Sequence, residues 1–305
     1  MSQDNPNENA PVVSIGLPVL NGEKYVGAAI ESILKQTFGD FELIISDNAS
    51  TDGTRKIAEG YALKDPRIRV VGHDETVGAH RNYNSIVPLA RGEYFKWAAH
   101  DDLLESTFLE ACLEALMNNP SAVLAYTRMA IVDEHGQQFG ERSSSYSYTD
   151  ASASVRFRRY IGDRHRSEPV FGLQRADVLR STPLLGHYPG SDWTFLAELA
   201  LRGEFVQVDR QLFLNRDHRG RSTKTTLDAR HRGHWFDPER TAPILLHWLQ
   251  LWGYLRAIGR APQPLLEKLR CLATMGKWSL RHTGDLIRDV WVYLSWKVKQ
   301  RENLT

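Results

Sequence analysis

Acidic side chains close hydrophobic runs at two places, a third opens a helix, and a histidine stands in a basic loop further on. Asp47 ends the run Phe41-Glu42-Leu43-Ile44-Ile45-Ser46 and precedes Asn48-Ala49-Ser50-Thr51-Asp52-Gly53-Thr54. A carboxylate there can accept a hydrogen bond from the imide N–H of a pyrimidine base. Equally, the Ser-Thr-Asp-Gly cluster turns the chain and caps the next helix. His100-Asp101-Asp102 follow the run Tyr94-Phe95-Lys96-Trp97-Ala98. Two adjacent acids repel each other, a cation relieves them, and oxygen donors select Mg or Mn. The same acids also suit a helix N-terminus ahead of Leu103. Asp192, after Gly190-Ser191, reads either as a general base or as an ordinary N-terminal acid. His218, within Asn215-Arg216-Asp217-His218-Arg219-Gly220-Arg221-Ser222, suits a diphosphate or simply faces solvent.

These residues need elements to hold them. Val12 to Leu17 is a short apolar run closed by Pro18, which reads as a buried strand. Tyr25, Val26, Ala29, Ile30, Ile33 and Leu34 recur at helical spacing. Strands are expected at 41–46, 68–72, 94–98 and 122–129, with helices at 54–63, 78–90 and 107–117 between them. The helix at 54–63 should bury Ile57, Ala58 and Tyr61. This alternation predicts a mostly parallel sheet covered on both faces, with ligands beyond the carboxyl ends of its strands.

Further on, Asp133-Glu134-His135-Gly136 reads as a turn and 142–154 as a Ser- and Tyr-rich loop, followed by a short basic helix. Strands are expected at 169–174, 205–208 and 212–216, and a helix at 192–201. From about Trp235 the pattern is helical throughout. That region holds six of the eight tryptophans and, over 251–305, ten Lys or Arg against four Asp or Glu. Ile287, Val290, Trp291, Leu294 and Val298 line one face of the last helix. Such a segment serves as a helical cap, a homodimer contact, or a basic amphipathic face on an anionic membrane surface.

The chain of 305 residues has a net charge of +1, so no global charge draws it to nucleic acid. Hydrophobic content of 42% and charged content of 25% exclude a disordered, collagen-like or coiled-coil chain. Cys112 and Cys271 alone offer neither a disulfide framework nor a four-cysteine zinc site. The polar first ten residues do not resemble a signal sequence. The most apolar stretch, Ile244 to Leu255, falls short of the roughly 20 residues of a membrane span. A cytoplasmic protein, at most peripheral to the inner face of a membrane, is expected.

The run Val12-Val13-Ser14-Ile15-Gly16-Leu17-Pro18-Val19-Leu20-Asn21, then Tyr25, Ala29, Ser32-Ile33-Leu34 and Gln36-Thr37-Phe38, resembles the opening of glycosyltransferase family 2. Phe41 to Asp47 with Ser50-Thr51-Asp52-Gly53-Thr54 continues the resemblance, as does Ala90-Arg91-Gly92-Glu93-Tyr94 leading into Ala99-His100-Asp101-Asp102. It is strong over 12–117, patchy over 169–222 and absent in the C-terminal helices. The resemblance implies a GT-A (Rossmann-like) α/β fold and an inverting hexosyl transferase using a nucleotide-diphosphate sugar, a UDP-sugar first. By position, Pro18 and Leu20 line the base and ribose pocket and Asp47 holds the base. Asp101 and Asp102 stand where the family binds ribose and a divalent metal, Mn or Mg. Asp192 matches the family's base, His218 a histidine that helps hold metal or diphosphate, and Arg81 a phosphate or base contact. Three departures stand out: Asn48 replaces a frequent second acid, Ala99 the first acid of the Asp-x-Asp triplet, and Ser191 the Glu that commonly precedes the base.

The domains expected are a disordered 1–10, a GT-A domain at 11–225 and a helical region at 226–305. The resemblance points to a glycan or lipid-linked acceptor, as in bacterial surface polysaccharide synthesis. A nucleotidyltransferase would need a glycine-rich phosphate loop, and 17–24 supplies only Gly22. A degenerate, non-catalytic nucleotide-sugar-binding or scaffolding module is the rival from another class.

Overall fold

The computed structural model describes residues 10–142, 147–162, 167–221 and 242–302. Its nine-stranded sheet runs in the order β3-β2-β1-β4-β8-β6-β9-β5, with β7 paired to β6. The strands are β1 Val13–Val19, β2 Phe41–Asp47, β3 Ile68–Gly72, β4 Tyr94–Trp97, β5 Leu103–Leu104, β6 Ala122–Val132, β7 Gln138–Arg142, β8 Leu173–Arg175 and β9 Glu204–Arg216. The helices of the first part are α1 Val26–Leu34, α2 Thr54–Ala62, α3 Ala79–Ile86 and α4 Phe108–Asn118. Later come α5 Ala153–Gly162, α6 Ala176–Arg180, α7 Ser191–Arg202, α8 Leu246–Arg260, α9 Leu265–Arg281 and α10 Thr283–Glu302.

The first four strands are parallel, as their unbroken apolar runs require. Every residue of β1 and β2 is buried. Pro18 does not end β1 as expected; it lies inside it. Gly16 O accepts from Ala98 N and Val19 O from Asn48 N, so by alternation the Pro18 nitrogen faces the β4 side. There β4 has already ended at Trp97, and the missing N–H costs no ladder bond. Beyond β4 the sheet is mixed: β8 is antiparallel to both β4 and β6, whereas β6 and β9 are parallel.

Three local expectations are corrected. Residues 169–174 hold a 3-10 turn, Glu168–Phe171, and then the three-residue β8. The two strands expected at 205–208 and 212–216 are one strand, β9, whose register against β6 shifts near Arg128. Only Thr54 and Ala58 of α2 are buried, leaving Ile57 and Tyr61 partly exposed. Trp235, Ser222 and the boundary at 225/226 lie outside the described residues, as do 1–9 and 143–146 of the Ser- and Tyr-rich loop.

The core lies on both faces of the sheet, with α1, α4 and α2 on one side. On the other, Trp97, Phe157, Phe195 and Phe205 pack with Tyr254, Met275 and Trp278 from the C-terminal helices. Glu198 of α7, 2% exposed, binds Arg202 at 2.9 Å and Arg260 of α8 at 2.6 Å. Gln263 donates to Leu201 O at 2.7 Å. Helices α8 and α9 thus share one core with the sheet domain. No helix among the described residues is long and apolar enough to cross a membrane.

Candidate active site

The carboxyl ends of β1 and β2 are laced together by their loops. Asn21 N donates to Ser50 Oγ at 2.9 Å, Thr51 N to Asn21 Oδ1 at 2.9 Å and Gly22 N to Thr54 Oγ1 at 2.8 Å. Glu23 and Asp52 exchange the same service, Glu23 N donating to Asp52 Oδ2 and Gly53 N to Glu23 Oε2. Within this frame Asp47 is buried at the last position of β2, beside Val19 of β1. Pro18 is buried and Leu20 half-buried at the neighbouring strand end. Asn48 Oδ1 accepts from Val77 N at 2.9 Å, so the residue that departs from the family's second acid ties down the loop before α3. Arg81 is exposed on the first turn of α3, and no described contact links it to Asp47 or Asp101.

Sequence reasoning missed Asn82. Its buried amide accepts from Ser46 Oγ at 2.6 Å and donates to Ser46 O at 3.1 Å, which fixes α3 against the β2 end. A polar residue at helical spacing in a weakly apolar segment gives no signal for this.

Asp101 and Asp102 divide their work. His218 Nε2 lies 3.0 Å from Asp101 Oδ2, and the His218 ring packs on Tyr25 with centroids 4.6 Å apart. Asp102, 7% exposed, accepts from Asn215 Nδ2 and from Arg216 N, each at 2.9 Å. Burial and the neighbouring Asp101 charge push its carboxyl up to about 7, against the pull of those donors. The reading of these acids as a helix N-terminus falls away: β5 follows them and pairs with β9, and α4 begins only at Phe108.

Arg216, expected in a diphosphate-facing loop, is instead buried. It donates to Asp101 O at 2.9 Å and Glu134 O at 2.8 Å, with its guanidinium 4.9 Å above the Tyr25 ring. It binds the end of β9 to the Asp101 loop. Arg219 is exposed one residue beyond His218.

Asp192 is half-buried in the first turn of α7, where Gly190 takes the left-handed conformation at φ 79°. Burial raises its carboxyl above the usual aspartate range, while the Ser167 hydroxyl and the Trp193 N–H hold it down. Tyr83 of α3 joins the two halves. Its phenol is raised by burial and then by the charges of Asp101, Asp102 and Asp192. Near Asp192, sequence reading also missed Gln250 and Tyr254 of α8. Gln250 Nε2 and the Tyr254 hydroxyl are buried without a hydrogen-bond partner. Tyr254 feels the Asp192 charge, and Gln250 Nε2 would stand 3.3 Å from a Cβ placed on Gly190.

Among the described residues no group of three or more His, Cys, Asp or Glu is arranged to hold a metal. Asp101 and His218 nonetheless supply one carboxylate oxygen and one imidazole nitrogen at the same point, a donor pair suited to a divalent cation whose other ligands come from a diphosphate and water.

The Glycosyl transferase family 2 profile matches residues 14–178. Chondroitin synthase of Escherichia coli is 34% identical over 129 residues, 42% of this chain and 19% of its own. Across eight such curated relatives the matched segment spans 13% to 57% of their length. Among solved structures, S. aureus TarS 1-349 in complex with UDP-GlcNAc superposes with a TM-score of 0.66 at 16% identity, covering 91% of this chain and 79% of that one. The mannosyltransferase PcManGT from Pyrobaculum calidifontis, in complex with GDP-Man and Mn2+, gives 0.53 at 15% identity, covering 93% and 85%. These likenesses bear out the expected GT-A type of α/β fold. With more than half of its residues under the profile and its carboxylates gathered at the strand ends, the chain belongs to glycosyl transferase family 2.

Proposed function

We propose that the protein is an inverting glycosyltransferase that moves a hexosyl group from a nucleotide-diphosphate sugar, a UDP-sugar first, to a hydroxyl of a glycan or lipid-linked acceptor. The observation that carries the reading is the pairing of His218 Nε2 with Asp101 Oδ2 at 3.0 Å, beside the buried Asp102, in a chain of glycosyl transferase family 2. That pair is the candidate diphosphate-binding group, and Asp192 on α7 is the candidate base. The solved neighbours in complex with UDP-GlcNAc and GDP-Man support a nucleotide-sugar donor.

In this reading Pro18 and Leu20 flank the base and ribose, and Asp47 accepts the imide N–H. Asp101 and His218 hold Mg or Mn, which when bound supplies positive charge to the diphosphate. Asp102 keeps that pair in place through Asn215 and Arg216, and Arg81 reaches the phosphates from α3. Asp192 takes the proton of the acceptor hydroxyl as its oxygen attacks the anomeric carbon. The anomeric C–O bond to the nucleotide diphosphate breaks as the new one forms, and the configuration inverts. Gln250 Nε2 and the Tyr254 hydroxyl, which lack a partner among the described residues, offer hydrogen bonds to the acceptor's neighbouring hydroxyls. Nucleotide sugars place the reaction on the cytoplasmic side, in cell-envelope polysaccharide synthesis.

Asp192→Asn tests the assignment. It is expected to lower transfer by about 10²- to 10⁴-fold while leaving nucleotide affinity unchanged. The wild-type rate should fall on the acid side as pH drops through the raised Asp192 pKa, above the ordinary 3.8. Equal transfer by the two proteins would remove Asp192 from the mechanism.

A further inference from the structure

Helices α9 and α10 each bury one face and leave a second apolar face uncovered. At 3.6 residues per turn, Leu265, Leu269, Leu272 and Leu280 share a stripe on α9, on a different face from the buried Cys271, Met275 and Trp278. Leu265 is 72% exposed and Leu280 78%. On α10 the stripe is Ile287, Trp291, Leu294 and Val298, with Ile287 65% and Trp291 68% exposed. Leucines scattered singly over a surface need no explanation, whereas two ordered stripes on adjoining helices mark an interaction surface.

The charges around these stripes are sorted. Three acids, Glu267, Asp285 and Asp289, reach toward the body of the protein, the first two also pairing with Arg270 and Arg288. Glu267 accepts from Ser154 N at 2.7 Å and from Ser152 Oγ at 2.9 Å. Asp289 accepts from His247 N at 2.7 Å, and Asp285 lies 3.8 Å from His247 Nε2. Four bases stay outside: Lys277 and Arg281 lie beside the α9 stripe, and Lys297 and Lys299 lie on either side of the α10 stripe, all exposed. Segment 251–305 holds ten Lys or Arg against four Asp or Glu in a chain of net charge +1, so the remainder is net acidic.

We propose that α9 and α10 dock the protein on the surface of an anionic lipid bilayer. The leucine, isoleucine and tryptophan stripes enter the headgroup boundary, and the flanking lysines and Arg281 meet the lipid phosphates. A second copy is the poorer occupant, because a self-complementary contact would set one basic face against another. The docking is independent of the transfer reaction and is read without donor or turnover.

The test is co-sedimentation of the full chain with phosphatidylglycerol vesicles and, in parallel, with phosphatidylcholine vesicles. The protein should pellet with the anionic lipid and stay in solution with the zwitterionic one, and high salt should weaken binding about tenfold. An Ile287→Ser, Trp291→Ser double variant and a Lys297→Glu, Lys299→Glu double variant change exposed positions only. Each should retain the native circular dichroism and release the protein from the vesicles. The proposal is overturned if the wild type ignores phosphatidylglycerol, or if both folded variants pellet as it does. A dimer that ignores vesicles and becomes monomeric with Trp291→Ser would also overturn it, assigning the stripes to a second copy.

Discussion

Asp101 turns its carboxylate toward His218, while its neighbour Asp102 turns inward to Asn215 and Arg216. Two adjacent acids thus separate into a group that can meet a ligand and a group that positions it. Replacing Asp102 by Ala should therefore disturb the β9 end as well as the site. Asp101→Ala should reduce nucleotide affinity with little loss of stability. The same logic applies to Gln250, whose unpaired Nε2 is buried beside the first turn of α7. Leaving a buried donor unpaired costs about 1–3 kcal/mol, and an acceptor hydroxyl that pairs with it recovers that energy. Gln250→Leu should raise the acceptor KM by about tenfold, the equivalent of 1.4 kcal/mol, and leave the donor KM unchanged. A change in both would make Gln250 structural. Asp47, Asp101, Asp192 and His218 were legible as candidates because acids at strand ends, an acid opening a helix and a histidine in a basic loop stand out by type and by their order along the chain. Tyr83, Asn82 and Gln250 were not: each is an ordinary helical residue until the helix is docked.

At the level of elements, α7 carries the candidate base, and α8 holds α7 through Glu198. Glu198→Ala removes the carboxylate that Arg202 and Arg260 share, leaving the Arg202 guanidinium only its bond to Ser181 Oγ, and should destabilise the protein by about 3 kcal/mol, seen as a lower urea midpoint. Strand β4 contains a different electrostatic burden. Lys96 is fully buried, donates to Phe171 O at 2.8 Å and to Trp97 O at 3.0 Å, and burial pushes its amine down to about 7. The unfolded chain keeps this proton up to 10.5, so the unfolded state holds more protons above pH 7 and folding gains stability as pH rises. Between pH 7 and 9, below the ordinary thiol value of 9.0 for Cys112, stability should climb with pH in wild type. Lys96→Met should flatten that slope in denaturant titrations at the two pH values. The parallel strands β1 to β4 were readable from continuous apolar runs bounded by turns. The short β5 and β8 were not, because two or three residues carry no period, and both exist only through pairing with β9, β4 and β6. The split seen in β9 sequence is a register shift rather than a turn.

Across the whole molecule, the proposed nucleotide side and the proposed acceptor side come from different parts of the chain. Residues 14–178 match the family and carry Asp47, Asp101 and Asp102. The surroundings of Asp192 are completed by α8, outside that match, through Tyr254 and Gln250. This division explains why the fold and the candidate donor residues were readable in sequence, whereas individual residues on the α8 side, Gln250 and Tyr254, were not. The central claim is that the β2 end and the Asp101–His218 pair bind a nucleoside diphosphate. Calorimetric titration of UDP and of GDP, each with and without Mn, against wild type and Asp101→Asn addresses it directly. The expected result is Mn-strengthened binding of UDP that Asp101→Asn weakens about tenfold or more, in keeping with the loss of a charged ligand. Folded wild-type protein that binds neither nucleotide, with or without Mn, would contradict the account.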